Sequence, residues 1–308
     1  MKDFDFFDLK TDLADESDEI LRTKTSDISG VESERKTVDG VNIFTMVVKK
    51  GEGERQTDKK AGRYVTLDVG STEIYDTDTF ERICSVFSSV ISSFTDEFKN
   101  CSGGFLLAGL GNPDICADSV GKESVSSFIV TRHIKEASPD LFEKFGFAET
   151  AAITPDVFGK TGVEAAEIIK GVADDIKPSC VIAIDALSSR RLSKLATTVQ
   201  ICDTGISPGS GVGNMRKEIS KDTVGVPVIA IGVPTVVNTA TLIYDVLLET
   251  GCLSENSKDT ISQFTDPDCF VSKKECGAQM KSIGRFIGYS LNKAIHKDIE
   301  FSEMRDFL

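Results

Sequence analysis

Between residues 104 and 237 one pattern recurs: a short, wholly apolar run, an abrupt Gly, Asp or Pro, then apolar residues at helical spacing. Residues 104–110 break at Gly109-Leu-Gly-Asn112, 179–184 at Asp185, 198–202 at Asp203, and 226–233 at Pro234. Apolar runs this short, without polar alternation, suit strands buried on both faces. Helices are expected over 120–135, 163–176, 236–250 and 273–297. Another is expected over 80–98, where Ile83, Val86, Phe87, Val90, Ile91 and Phe94 fall on one helical face. The pattern predicts an α/β fold with a mainly parallel sheet covered by helices on both faces. Residues 41–50 and 64–69 read as further strands around a polar loop at 51–62. With no internal repeat, residues 13–308 are expected to form a single α/β domain, with 251–272 a loop excursion.

Composition narrows the function. The 308 residues carry 49 acidic and 35 basic side chains, a formal charge of −14, at 40% hydrophobic content. That balance argues against nucleic acid as a direct partner, because phosphate neutralisation needs clustered Lys and Arg. The N-terminus shows no basic-then-apolar leader. The most apolar segment, 226–237, is too short to span a bilayer, so a cytoplasmic protein with no membrane partner is expected. The two histidines, His133 and His296, exclude a three-histidine zinc site. None of the eight cysteines forms a C-x-x-C pair, and they read as small buried side chains in a reducing compartment. No cofactor is expected.

Ligands in α/β sheets bind beyond the carboxyl ends of the strands. Two carboxylates fall there: Asp118, in the loop after Gly109-Leu-Gly-Asn112, and Asp185, ending the run Val181-Ile-Ala-Ile184. Two acids in one small site do not both ionise readily, so one keeps its proton, supplying a base and an acid together. Each also has a structural reading, Asp118 as a helix cap and Asp185 as a loop-closing acceptor. Asp203-Thr-Gly-Ile-Ser-Pro-Gly-Ser-Gly-Val-Gly-Asn214 offers backbone amides at Gly209, Gly211 and Gly213 to an anion or a peptide. Its Gly205-Ile-Ser207-Pro-Gly209 matches a nucleophile elbow in form only, since Pro208 has no N–H for an oxyanion hole. Gly159-Lys-Thr161 is half of a phosphate loop with Thr154 where glycine is needed.

Three segments together resemble the spore germination protease family: Ile182-Ala-Ile-Asp-Ala-Leu187, Gln200-Ile-Cys-Asp-Thr-Gly-Ile-Ser-Pro-Gly-Ser-Gly-Val-Gly-Asn214, and Gly225-Val-Pro-Val-Ile-Ala-Ile-Gly-Val-Pro-Thr-Val-Val237. Lys10-Thr-Asp-Leu-Ala14, Gly109-Leu-Gly-Asn112 and Val130-Thr-Arg-His133 extend the likeness over most of the chain. The resemblance implies an endopeptidase that degrades small acid-soluble spore proteins, acting in the forespore and spore core as a homotetramer. It implies a fold like that of hydrogenase-maturation endopeptidases, of the phosphorylase/hydrolase-like type.

By the same resemblance the catalytic aspartates are Asp118 and Asp185. Around Asp118 the chain departs from the family, with Cys116-Ala117 before it and Lys122 after it. Thr154-Pro-Asp156 looks locally similar, but Thr161-Gly-Val-Glu164 beyond it matches a segment where position 156 is normally Gly. Arg190 and Arg191 either bind acidic substrate side chains or solvate a helix start. Residues 1–12, in a leading stretch of twenty residues that carries −6 of the charge, read as an exposed propeptide cleaved between Asp12 and Leu13. Its Phe4, Phe6, Phe7 and Leu9 would plug the cleft. Two other readings stand beside the aspartate pair: a metal site of Asp118, Asp185 and His133, and a non-catalytic binder of spore proteins using the glycine-rich loop.

Overall fold

The computed structural model describes residues 11–25, 28–99, 101–210, 213, 216–254, 256–296 and 299–308. Among them, nine strands form one sheet: β1 (Val31–Val38), β2 (Val41–Val48), β3 (Gly62–Asp68), β4 (Phe105–Gly109), β5 (Thr150–Ile153), β6 (Cys180–Ser189), β7 (Thr198–Cys202), β8 (Val228–Asn238) and β9 (Phe270–Val271). Their order is β1-β2-β3-β7-β8-β6-β4-β5, with β9 on the far end of β8. The helices are α1 (Ala14–Lys24), α2 (Glu52–Thr57), α3 (Thr77–Thr95), α4 (Val120–Val125), α5 (Arg132–Ala137), α6 (Pro139–Lys144), α7 (Phe158–Thr161), α8 (Ala165–Ile176), α9 (Lys221–Val224), α10 (Thr239–Glu249), α11 (Ser257–Phe264), α12 (Cys276–Ile295) and α13 (Phe301–Phe307). No helix among the described residues is long and apolar enough to cross a membrane.

The α/β class holds, with helices on both faces. Along β6 the side chains alternate between two cores. Ile182 and Ile184 join Phe87, Ile91, Phe286 and Leu291 of α3 and α12, while Val181 and Ala183 join Ala166, Ile169 and Ala173 of α8. A strand with both faces covered has no use for polar alternation, which is why its sequence is a continuous apolar run. Phe87 and Phe286 stack at 5.6 Å where α3 meets α12. Asp76 caps α3, accepting the Thr79 amide at 2.8 Å. Over the other half of the sheet, α1 rests through Ala14 near Phe44, Met46 and Tyr64.

The sheet is more mixed than the sequence suggests. β5, β4, β6 and β8 are parallel, but β7, β3, β2 and β1 extend them antiparallel. β1 escapes the periodicity because it is a largely exposed edge of charged residues, Glu32, Glu34, Arg35 and Lys36, a composition that blunts further strand pairing. The helix expected over 120–135 is two helices. Between them the Ile129 amide donates to Asn292 Oδ1 (2.9 Å) and the Thr131 amide to Thr150 Oγ1 (3.1 Å), so tertiary bonds replace helical ones. Residues 251–272 contain α11 and β9.

Two expected strand ends are not ends. β6 runs through Asp185 to Ser189, and β8 runs through Pro234 to Asn238. The two remain paired, Asp185 opposite Gly232 and Leu187 opposite Pro234, with a register shift between Leu187 and Ser188. The irregularity accommodates the proline, which has no amide to give a ladder.

Candidate active site

The site arises from a difference in strand length. β4 pairs with β6 only as far as Gly109 opposite Ile184, and the chain then turns away through Leu110 to Asn112. β6 continues beside β8, so Asp185 is the first β6 residue with no β4 neighbour. Its side chain, 4% exposed, lines a cavity of about 460 Å³. Asp118 lines the same cavity from the short turn Cys116–Asp118 that precedes α4. Asp118 Oδ2 accepts the Asn112 amide at 2.7 Å. Gly111, at φ +96°, makes room for this. A Cβ there would collide with the Asp118 carbonyl and approach Oδ1 to 2.7 Å. The Gly-Leu-Gly-Asn motif thus has a physical role in seating Asp118.

Both carboxyls are shifted upward. Burial raises Asp185 well above the ordinary carboxylate range, and the charge of Asp118 adds to it; the Ala186 amide pulls the other way. Burial also raises Asp118, opposed by the Asn112 amide, and Asp156 adds a second upward push. Asp185 is the deeper of the two, so burial weighs more heavily against its ionised form.

Asp156 is a third acid on the cavity wall. It adopts φ +63°, a left-handed conformation uncommon for a residue with a side chain, at the position where the family resemblance leads one to expect glycine. Its Oδ1 accepts the adjacent Val157 amide at 2.8 Å. Sequence reading treats it as a decoy; the fold brings it near Asp118.

The remaining expected residues separate. Gly209 lines the 460 Å³ cavity, whereas Gly213 lines a neighbouring one of about 720 Å³; both have φ +74°. Gly211 lies outside the described residues. Arg190 lines neither cavity and is not a solvated residue at a helix start. It is buried and paired with Asp245. Arg191 pairs with Glu19 at 3.0 Å, and the amides of Arg190 and Arg191 are both taken by Glu16, at 2.7 and 3.1 Å. His133 is exposed on α5 and does not line the cavity. Among the described residues, no three His, Cys, Asp or Glu are grouped to hold a metal ion.

The expected cleavage point is not exposed. Leu13 is fully buried, and Asp12 lies against the end of β6, lining the cavity with Asp118 and Asp185. The Asp12 amide donates to the Ser188 carbonyl at 2.9 Å, and the Ser188 amide donates back to Asp12 Oδ2 at 2.8 Å. Phe4, Phe6, Phe7 and Leu9 lie outside the described residues.

Comparison with known proteins identifies the family. A family model described as germination protease matches residues 9–250. The chain belongs to the germination protease family. A germination protease of Clostridium acetobutylicum is 38% identical, over 97% of this chain and 99% of its own length. Those of Caldanaerobacter subterraneus and Bacillus pumilus are 36% and 42% identical, covering 97% and 80% of this chain and 98% and 68% of their own lengths. A solved NiFe hydrogenase maturation protease from Thermococcus kodakarensis KOD1 is 15% identical over 57% of this chain and 98% of its own, with a TM-score of 0.30. The chain is accordingly a peptidase of germination.

Proposed function

We propose that this chain is the endopeptidase that starts the breakdown of small acid-soluble spore proteins in the germinating spore core, using water activated by Asp118 and Asp185. One observation carries the reading. Both carboxyls share a cavity with Asp12, in a segment Asp12-Leu13-Ala14 whose order of acid, apolar residue and alanine fits a substrate of the family. Asp118, nearer ionisation, takes a proton from water as its oxygen bonds to the carbonyl carbon. Asp185, which carries a proton, gives it to the departing amide nitrogen as the C–N bond breaks. The two carboxyls thus exchange protonation states over one turnover, and no cofactor is invoked.

The same reading makes residues 1–12 a propeptide that the enzyme removes itself, cutting between Asp12 and Leu13. Burial raises the Asp12 carboxyl, and a neutral Asp12 sits more easily beside Asp118 and Asp185. Mild acid therefore favours the arrangement, and mass spectrometry after acid incubation is expected to show loss of twelve residues. A homotetramer is the proposed assembly, tested by sedimentation.

The test of function is incubation with a purified small acid-soluble spore protein. Discrete fragments with the wild type, and none with folded Asp118→Asn or Asp185→Asn, support the reading; an intact complex means a binder. In the metal reading Asp118 and Asp185 would be the ligands without His133, which α5 holds elsewhere; activity that survives exhaustive chelation would dismiss it.

A further inference from the structure

Asp12 stands where two cavities meet. Asp12, Leu187, Ser207 and Ser210 line both the 460 Å³ cavity, which holds Asp118 and Asp185, and the 720 Å³ cavity, which holds Lys59 and Gln200. The carbonyl oxygen of Asp12 accepts two side-chain hydrogen bonds, from Lys59 Nζ at 3.0 Å and from Gln200 Nε2 at 3.1 Å. Gln200 also spans the next peptide unit, its Oε1 accepting the Ala14 amide at 2.6 Å. The Asp12 side chain is held separately, by the Ser188 amide and by Ser210 Oγ at 3.4 Å. One carbonyl in the cleft therefore has a cation and an amide aimed at its oxygen, with the two aspartates in the adjoining cavity.

We propose that Lys59 and Gln200 are the oxyanion-stabilising pair of this peptidase, taking the charge that develops on the carbonyl oxygen of the residue before the cut. The inference rests on the reading of Asp12–Leu13 as a bond the enzyme cleaves. As water oxygen bonds to the carbonyl carbon, the C=O π pair moves onto oxygen, where the Lys59 ammonium and the Gln200 N–H meet it. The water proton goes to Asp118. When the intermediate collapses, that pair re-forms C=O, the C–N bond breaks, and the Leu13 nitrogen takes the Asp185 proton. Donors fixed in place before the reaction stabilise such a charge more than water does. Lys59 sits in the turn after α2 and Gln200 in the middle of β7, so the pair is anchored by separate elements. Burial lowers the Lys59 ammonium, and the charge of the Asp12 carboxylate is the foremost influence opposing it. The Gly-x-Ser-x-Gly segment lacks an oxyanion amide at Pro208, and this arrangement supplies its function from side chains.

The test is the single-turnover rate of self-cleavage in the full chain under mild acid, followed by mass spectrometry, with hydrogen exchange at the Ala14 amide as the check on docking. Lys59→Met removes one donor. Gln200→Glu removes the other while keeping the acceptor for Ala14. Each is expected to slow cleavage about 10²–10³-fold, the ordinary cost of one such donor, with Ala14 protection unchanged. A folded variant cleaving within about threefold of the wild type would overturn the proposal, since the ordinary loss is far larger. So would a loss of rate matched by a loss of Ala14 protection, because the residue then only holds the segment. If Lys59→Met does not fold, Gln200→Glu decides the matter. Wild-type protein that never cuts after Asp12, or Asp185→Asn that cuts as fast, removes the underlying reading, and the pair with it.

Discussion

The Asn112 amide reaches Asp118 Oδ2 at 2.7 Å across a turn in which Gly111 leaves no space for a Cβ. The glycine and the carboxylate are therefore one structural unit. Gly111→Ala is predicted to push Asp118 off its amide donor and to strain the backbone at φ +96°. The expected cost is about 1–3 kcal/mol of stability and a drop in cleavage rate larger than the stability loss alone explains. Thermal melting and peptide cleavage, measured on one preparation, check both.

Arg190 and Asp245 form a buried ion pair between the end of β6 and α10. Removing one partner strands a charge, so Asp245→Ala is predicted to cost roughly 3–5 kcal/mol. Replacing both, as Arg190→Met with Asp245→Leu, is expected to recover most of that. Urea midpoints of the single and double variants measure it. A substrate-binding Arg190 would instead lose activity with little change in stability.

His296 packs against Phe128 and Phe147 with Nε2 3.3 Å from the Ile129 carbonyl, and burial lowers its pKa to about 4. A histidine depressed from its free value near 6.5 makes the unfolded state bind the extra proton first. Stability is thus lost as pH falls below 6.5, by about 2 kcal/mol from this residue between pH 6.5 and 5. His296→Gln should remove that part of the acid sensitivity, seen as a flatter stability profile across the same interval.

Asp185 works in the opposite direction. Its folded pKa lies well above 3.8, so from 3.8 upward the folded state holds a proton that the unfolded state has lost. Stability falls as pH rises through that window, by about 1.4 kcal/mol per pH unit for one such group. Asp185→Asn is never ionised. It is predicted to be more stable than the wild type at neutral pH and to lose the advantage near pH 4. Denaturation at several pH values distinguishes this from a variant destabilised throughout.

The apolar runs of β4, β6, β7 and β8 were legible because strands covered on both faces leave no alternative to continuous hydrophobicity. The same rule misled at Asp185 and Pro234, which read as strand ends. Both are tolerated inside paired strands, one because β4 stops short and opens a cavity, the other at a register shift. β1 was not legible, since an exposed charged edge has no hydrophobic period. The sequence put Asp118 and Asp185 at the sheet rim, and the fold places both on one cavity wall; it offered Asp156 only as a decoy and gave no signal for Lys59 or Gln200. Lys59 and Asp156 lie in turns, Gln200 is one polar residue in an apolar strand, and only the fold brings them to the cleft. The propeptide boundary looked exposed because it is acidic and near the terminus. Leu13 is buried because α1 packs onto β2 and β3 and carries the segment with it.

The most direct measurement of the aspartate-pair account is cleavage of a small acid-soluble spore protein by wild-type, Asp118→Asn and Asp185→Asn chains of matched folding. The wild type is predicted to yield discrete fragments, with each variant slower by at least about 10²-fold, the lower range for loss of a general acid or base. Folded variants that cut at the wild-type rate would contradict the account and leave the chain a germination peptidase with its catalytic groups elsewhere.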